Sequence, residues 1–201
     1  DILVIDDGST DATPMLLAQF PVLVIRHGVN TGYGSAVIDA FTTAAKRGYD
    51  WVITMDCDEQ HEPARLPDFF ARQREADARR AAGQPAADIL SGTRYPGGFG
   101  PGATTAPGSL PPPADRRSIN ATLTAEINAL LRFDPPLTDT FCGFKSHRTS
   151  AVAGLQLTQT GYAFPMQLWA KVAAAGLRVE EVPVDLIYND PSRTFGPGLA
   201  D

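Results

Sequence analysis

Short apolar runs bounded by turn residues recur along the chain at 2–5, 22–25, 51–55, 89–91 and 179–184. They are rich in Val and Ile and too short for core helices, so they are read as buried strands. Between the first of them lie stretches at 12–19, 34–47 and 66–82 whose apolar positions recur with helical spacing. Alternation of strand and helix is what a parallel sheet requires, because each crossover must bring the chain back to the same end. Helical spacing returns at 115–131 and at 165–175, the latter stopped by Gly176. The pattern predicts an α/β fold with a Rossmann-like, mostly parallel sheet flanked by helices.

In such sheets ligands sit beyond the carboxyl ends of the strands. Polar residues crowd those ends here, with Asp6 and Asp7 after one strand and Asp56 and Asp58 after another. Two carboxylate pairs are therefore expected to face one crevice. The segment 96–114 holds too much Gly and Pro for a regular element and too little apolar surface to pack, so it is expected to be a long mobile loop.

Composition narrows the chemistry. At 201 residues with 43% hydrophobic content, the expectation is a single catalytic domain over 1–201. A net charge of -6 and a pI near 5.0 argue against a nucleic-acid partner, so an anionic ligand must be met locally by a metal or a few arginines. Only Cys57 and Cys142 occur, which implies no disulfide framework and fits a reducing, cytoplasmic setting. No apolar run approaches the roughly 20 residues of a membrane span. The chain opens directly on a strand-like run, and a further N-terminal piece is expected to precede it.

Asp56-Cys57-Asp58 offers two carboxylates one residue apart at a strand's end, a spacing that lets the turning chain aim one or both at a hard cation. A chain this rich in Asp holds about one such triplet by chance, so position carries the signal. Asp6 or Asp7 can accept hydrogen bonds from a nucleotide base or ribose, although Ser9 or Asp11 capping the next helix explains the same loop. The glycines of the segment Asn30 to Ser35 serve either a tight loop-to-helix turn or a nucleotide contact.

Taken in order, VIDDGSTD, NTGYGSA, MDCDEQHEP, SGTRY and TDTFCGFKSHR resemble family 2 glycosyltransferases, particularly the dolichyl-phosphate mannosyltransferase-like branch. The resemblance covers nearly the whole chain and implies the GT-A fold. It also implies an opening strand and a Pro-aromatic-Asn-Glu loop that this sequence lacks. Asp6, Asp7 and Asn30 are then donor contacts, and Asp56 and Asp58 bracket Mg2+ or Mn2+ and the diphosphate of a nucleotide-sugar donor. Gln60 matches the Gln after the acidic motif, and Arg94 an arginine near the donor phosphates. Arg117, or Arg116, and the late Arg193 play a similar part. Asp139 matches the acidic position near the acceptor, where it acts as general base for a hydroxyl acceptor such as a saccharide. A polyprenyl-phosphate acceptor needs no strong base, and would bring the protein to a membrane surface. The implied reaction inverts the anomeric carbon. Cys142 and Gln167 depart from the common residues at their positions, which points to a different acceptor choice. Two other readings are a sugar-nucleotide pyrophosphorylase and a non-catalytic nucleotide-sugar-binding module.

Overall fold

A computed structural model describes residues 1–99 and 114–188. β1 (Leu3–Asp6) and β2 (Leu23–Arg26) pair in parallel, from Leu3 opposite Leu23 to Asp6 opposite Arg26, with the short helix α1 (Thr13–Leu17) between them in sequence. Pro14 near the start of α1 suits a position whose backbone N–H has no helical partner. A second sheet runs in the order β3 (Trp51–Thr54), β5 (Lys145–Arg148), β4 (Ile89–Thr93), β6 (Val179–Pro183). β4 and β6 are parallel, while β5 runs antiparallel to both β3 and β4, so three of these four strands point the same way.

Helix α2 (Tyr33–Lys46) touches both β1 and β3 and so bridges the two sheets. A 3-10 turn at Pro63–Arg65 leads into α3 (Leu66–Ala81), and α4 (Ala114–Leu131), the one-turn α5 (Thr149–Val152) and α6 (Phe164–Ala174) complete the helices. Successive residues of β4 face opposite sides, as the pleat demands. Ile89 joins a core with Phe41, Val152, Phe164, Leu168, Trp169 and Val172, and Leu90 joins another with Phe69, Ala76, Cys142, Phe144 and Val182. Helices α2 and α6 thus cover one face of the sheet and α3 the other.

Five strands lie within a residue or two of the apolar runs that announce them. β5 does not: its sequence Lys-Ser-His-Arg has no apolar residue, yet Lys145, Ser146 and His147 are all buried. It is a strand because both of its edges are hydrogen-bonded, to β3 and to β4, which satisfies backbone groups that burial would otherwise leave unpaired.

Candidate functional site

The end of β3 carries the carboxylate pair. Thr54 donates its hydroxyl to the Gly143 carbonyl at 2.9 Å, fixing the strand end against the Gly143 turn. Just beyond, the Asp56 side chain is 45% exposed, lying in a crevice with protein on several sides. Burial, and then the neighbouring Asp58, push its pKa up, while His61 works the other way. The Asp56 backbone N–H donates to His61 Nδ1 at 2.9 Å, so that nitrogen is an acceptor and the imidazole proton sits on Nε2. Burial lowers the His61 pKa, in keeping with a neutral ring stacked 5.3 Å from Phe144. Asp58 Oδ1 accepts from Gln60 N at 3.1 Å, closing a tight turn.

Gly143 makes room for this pair. A Cβ there would lie 2.6 Å from Asp56 Oδ2 and 3.1 Å from His61 Cε1, closer than nonbonded atoms approach. The carboxylate occupies the space that any other residue would fill. Two hard oxygen donors with one side open to solvent suit Mg2+ or Mn2+, with phosphate and water oxygens taking the remaining positions. No cluster of three or more His, Cys, Asp or Glu side chains that could hold a metal is found among the described residues.

A closed ion pair adjoins the open one. Arg94, following β4, sends Nε to Asp139 Oδ2 at 2.7 Å and Nη2 to Oδ1 at 3.0 Å, and its backbone N–H adds a third bond at 3.1 Å. Asp139 Oδ1 also accepts from the N–H groups of Phe141 and Cys142, both at 3.2 Å. Burial opposes the Asp139 charge, but Arg94 outweighs it and holds the carboxyl below its usual range. The surrounding turn is pinned from several elements. Glu181 on β6 accepts from the Thr138 and Asp139 N–H groups at 2.8 and 3.0 Å, Trp169 on α6 donates to the Thr140 carbonyl at 2.8 Å, and Lys145 donates to the Cys142 carbonyl. This geometry bears on the general-base expectation for Asp139. Its oxygens are occupied by donors, its side chain has no exposed surface, and a carboxylate so stabilised is a weak proton acceptor.

The β1–β2 side is organised around Asp7. Oδ1 accepts from the Thr31 N–H and hydroxyl, each at 2.8 Å, and lies 2.6 Å from His27 Nδ1; Oδ2 accepts from Gly32 N at 2.8 Å. Burial works against ionisation, yet these bonds hold the Asp7 carboxyl far below its usual range. Asp6 is buried, taking Ser9 N at 2.8 Å with Arg26 at 3.3 Å, whereas Asn30 is exposed. Gly32 and Gly34 answer the choice between turn and ligand. A Cβ on them would lie 2.4 Å from the Thr160 carbonyl oxygen and 2.1 Å from that of Gln159, and Gly34 N donates to Thr160 O at 2.7 Å. The glycines admit a backbone segment that caps α2. Gln167 orders that segment, its Oε1 accepting from Thr158 N and Gln159 N at 2.8 and 2.9 Å, which gives this departure a structural role. Tyr33 follows Gly32, and its phenol, already raised in pKa by burial, also feels the charge of Asp56. The two sides of the crevice meet there.

The structure therefore brings Asp56, Asp58, Gln60, Arg94 and Asp139 into one neighbourhood and joins Asp7 to it through α2. Arg117 lies on α4 and donates to the Phe99 carbonyl. Arg193 and most of the segment 96–114 lie outside the described residues. Sequence reasoning missed His61, Gly143, Lys145 and His27, although three of them sit inside quoted motifs. Cys57 is an exposed thiol and Cys142 a buried one, and no helix among the described residues is long and apolar enough to cross a membrane.

Comparison with known proteins agrees with this arrangement. The model of the family described as Glycosyl transferase family 2 matches residues 1–135. The undecaprenyl-phosphate mannosyltransferase of Micrococcus luteus is 28% identical over 198 residues, covering 94% of this chain and 73% of the relative. The polyprenol monophosphomannose synthase of Mycolicibacterium smegmatis is 27% identical over 192 residues, covering 91% of this chain and 65% of the relative. The crystal structure of glucosyl-3-phosphoglycerate synthase from Mycobacterium tuberculosis matches with a TM-score of 0.63 at 18% identity, over 96% of this chain and 61% of that one. The same enzyme in complex with Mn2+, UDP-glucose and phosphoglyceric acid gives a TM-score of 0.62 over 94% of this chain and 61% of that one. At that identity the likeness is one of fold, and the fold is α/β of the GT-A type. With the family model spanning most of the chain, and an undecaprenyl-phosphate mannosyltransferase and a polyprenol monophosphomannose synthase among its relatives, the chain belongs to glycosyl transferase family 2, in its dolichyl-phosphate mannosyltransferase-like branch.

Proposed function

We propose that this chain is the catalytic part of an inverting, metal-dependent glycosyltransferase that moves a sugar from a nucleotide-diphosphate sugar to a polyprenyl-phosphate acceptor. The observation that carries the reading is the pair Asp56 and Asp58 at the open end of β3, with Gly143 leaving space for the Asp56 carboxylate. Mg2+ or Mn2+ held by these two residues supplies positive charge against the leaving diphosphate. Asp7 and the exposed Asn30 take the nucleotide. Asp7 Oδ2 accepts one hydrogen bond among the described residues, from Gly32, and keeps a second lone pair for a base or ribose donor.

Arg94 adds fixed charge. Asp139 holds Nε and Nη2, leaving Nη1 outside the pair, and the guanidinium is close enough to Asp56 to bias its ionisation. A dipole or charge fixed before the reaction stabilises developing negative charge without reorganisation. With the diphosphate held on the Asp56 side, the acceptor oxygen reaches the anomeric carbon from the opposite face, which inverts that centre. A phosphate acceptor is already an anion and needs no base, which suits an Asp139 occupied by Arg94. The Micrococcus relative carries undecaprenyl phosphate in its name and the Mycolicibacterium relative a polyprenol, which supports an acceptor of the same class.

The test incubates the full protein with a panel of nucleotide sugars and a short polyprenyl phosphate, following nucleoside diphosphate release and lipid-linked sugar. Release is expected to need Mg2+ or Mn2+, and Asp58→Ala is expected to lower turnover by on the order of 10²- to 10³-fold with thermal stability kept. Full turnover in EDTA would remove the metal from the mechanism, and transfer to saccharide hydroxyls alone would overturn the acceptor.

A further inference from the structure

His27, which follows β2, has both ring nitrogens against carboxylates from other elements. Nδ1 lies 2.6 Å from Asp7 Oδ1, in the loop after β1, and Nε2 lies 2.7 Å from Asp39 Oδ2, on α2. An ionised carboxylate only accepts hydrogen bonds, and a neutral imidazole carries one N–H. Both contacts are satisfied together only when the ring holds two protons and a positive charge. The side chain is 13% exposed, so the contacts are shielded from water. Thr31 completes the arrangement, its hydroxyl lying 2.8 Å from the Asp7 oxygen that His27 binds, while Thr31 N and Gly32 N reach the same carboxylate. The imidazolium thus ties β1, β2 and α2 together at the carboxylate assigned to the nucleotide.

We infer that His27, as an imidazolium braced by Asp39, is the positioning residue that fixes Asp7 and the Thr31–Gly32 turn for the donor nucleotide, so that nucleotide binding weakens as this proton is lost in alkali. The inference rests on the reading of Asp7 as a nucleotide contact. The charged groups facing the ring are Asp7 and Asp39; the adjacent Asp6 is engaged by Ser9 and Arg26. The hydrogen bond to Asp7, and then that to Asp39, raise the His27 pKa against the opposing effect of burial. The brace is therefore complete below the ordinary histidine pKa of about 6.5 and is lost as pH rises through the higher folded value. Deprotonation removes one of two charge-assisted bonds and leaves Asp7 or Asp39 facing a ring lone pair. A hydrogen bond to a charged group is worth about 1.5 to 3 kcal/mol, which corresponds to roughly a tenfold change in affinity or more.

The chain has three histidines, so each ring can be followed separately by NMR in the full protein. His27 is expected to titrate above an unperturbed histidine, and Asp39→Asn to lower its midpoint. In parallel, UDP and GDP with Mn2+ serve as binding probes between about pH 6 and pH 9, spanning the ordinary histidine pKa. Whichever binds is expected to lose about tenfold in affinity across that range, with the midpoint moving down in Asp39→Asn. His27→Gln, which can make one of the two bonds, is expected to bind about tenfold more weakly at pH 6 and to show a flat profile. A His27 midpoint at or below the ordinary value, or a His27→Gln profile like that of the wild type, overturns the inference while leaving the donor site standing. Should His27→Gln not fold, an Asp39→Asn binding profile unmoved from wild type overturns it instead. Absence of nucleotide binding at every pH brings down the donor reading itself, and the inference with it.

Discussion

Asp56 and Asp139 lie in one electrostatic neighbourhood in opposite conditions. Asp56 is open to solvent on one side, its pKa raised by burial on the others and by Asp58; Asp139 has no exposed side-chain surface and its pKa is lowered by Arg94. A carboxylate whose charge is incompletely compensated gains most from an arriving cation. One already compensated gains little and instead keeps its partner in place. The difference separates an open half of the crevice, to which we assign the cation, from a closed half in which Asp139 holds Arg94 in place.

The strongest way to break this contrast is to remove the charge that holds. Asp139→Asn would leave the Arg94 guanidinium, whose side chain is 19% exposed, without its counter-ion, and breaking such a pair typically costs about 3 to 5 kcal/mol. Chemical denaturation of this variant is expected to show a loss of that order. The double variant Arg94→Met with Asp139→Leu is expected to recover part of it, since no unpaired charge remains. If Asp139→Asn keeps its stability and loses only turnover, Asp139 is a catalytic base after all.

On the open half the corresponding change is an added methyl group. Gly143→Ala would set a Cβ 2.6 Å from Asp56 Oδ2, and the side chain would have to swing away. A misplacement of about 1 Å at a reacting centre can lower the rate by roughly 10²-fold. Loss of that size is expected in turnover, together with a higher Mn2+ requirement and little change in melting temperature. Wild-type metal dependence in Gly143→Ala would mean that Asp56 does not need this position.

How much of this was legible in sequence follows the same division. The apolar runs announced every strand whose side chains form the core, and the open carboxylates stood out because they end a strand. β5 escaped because Lys145, Ser146 and His147 are buried for the pairing of their backbone rather than for their side chains. The holding residues escaped because holding is a relation between distant positions. Arg94 and Asp139 are 45 residues apart, and His27 and Asp39 read as an isolated histidine and a helix-surface acid until the loops are placed. The motifs singled out Asp139 but could not say that Arg94 occupies its oxygens.

The smallest expected effect concerns the strand beneath the sealed half. His147 on β5 is buried against Phe41 with ring centroids 4.7 Å apart, and its Nδ1 has no hydrogen-bond partner among the described residues. Burial, and then the nearby Lys145, pull its pKa down to about 3. Between about 6.5 and about 3 the unfolded chain therefore takes up a proton that the folded chain refuses, so stability falls as pH falls, by about 1.4 kcal/mol per pH unit at most. His27, whose pKa is raised, contributes a slope of the opposite sign that fades as pH falls below the ordinary histidine value, whereas His61, lowered in pKa, adds to the loss. The comparison must therefore be with His147→Leu, which removes only the first contribution. Urea unfolding at intervals from pH 6.5 to 4.5 is expected to show the wild type losing about 1 kcal/mol per pH unit relative to the variant. Parallel curves for the two proteins would mean that His147 accepts its proton in the folded state, and that the floor of the sealed half is wetter than its packing indicates.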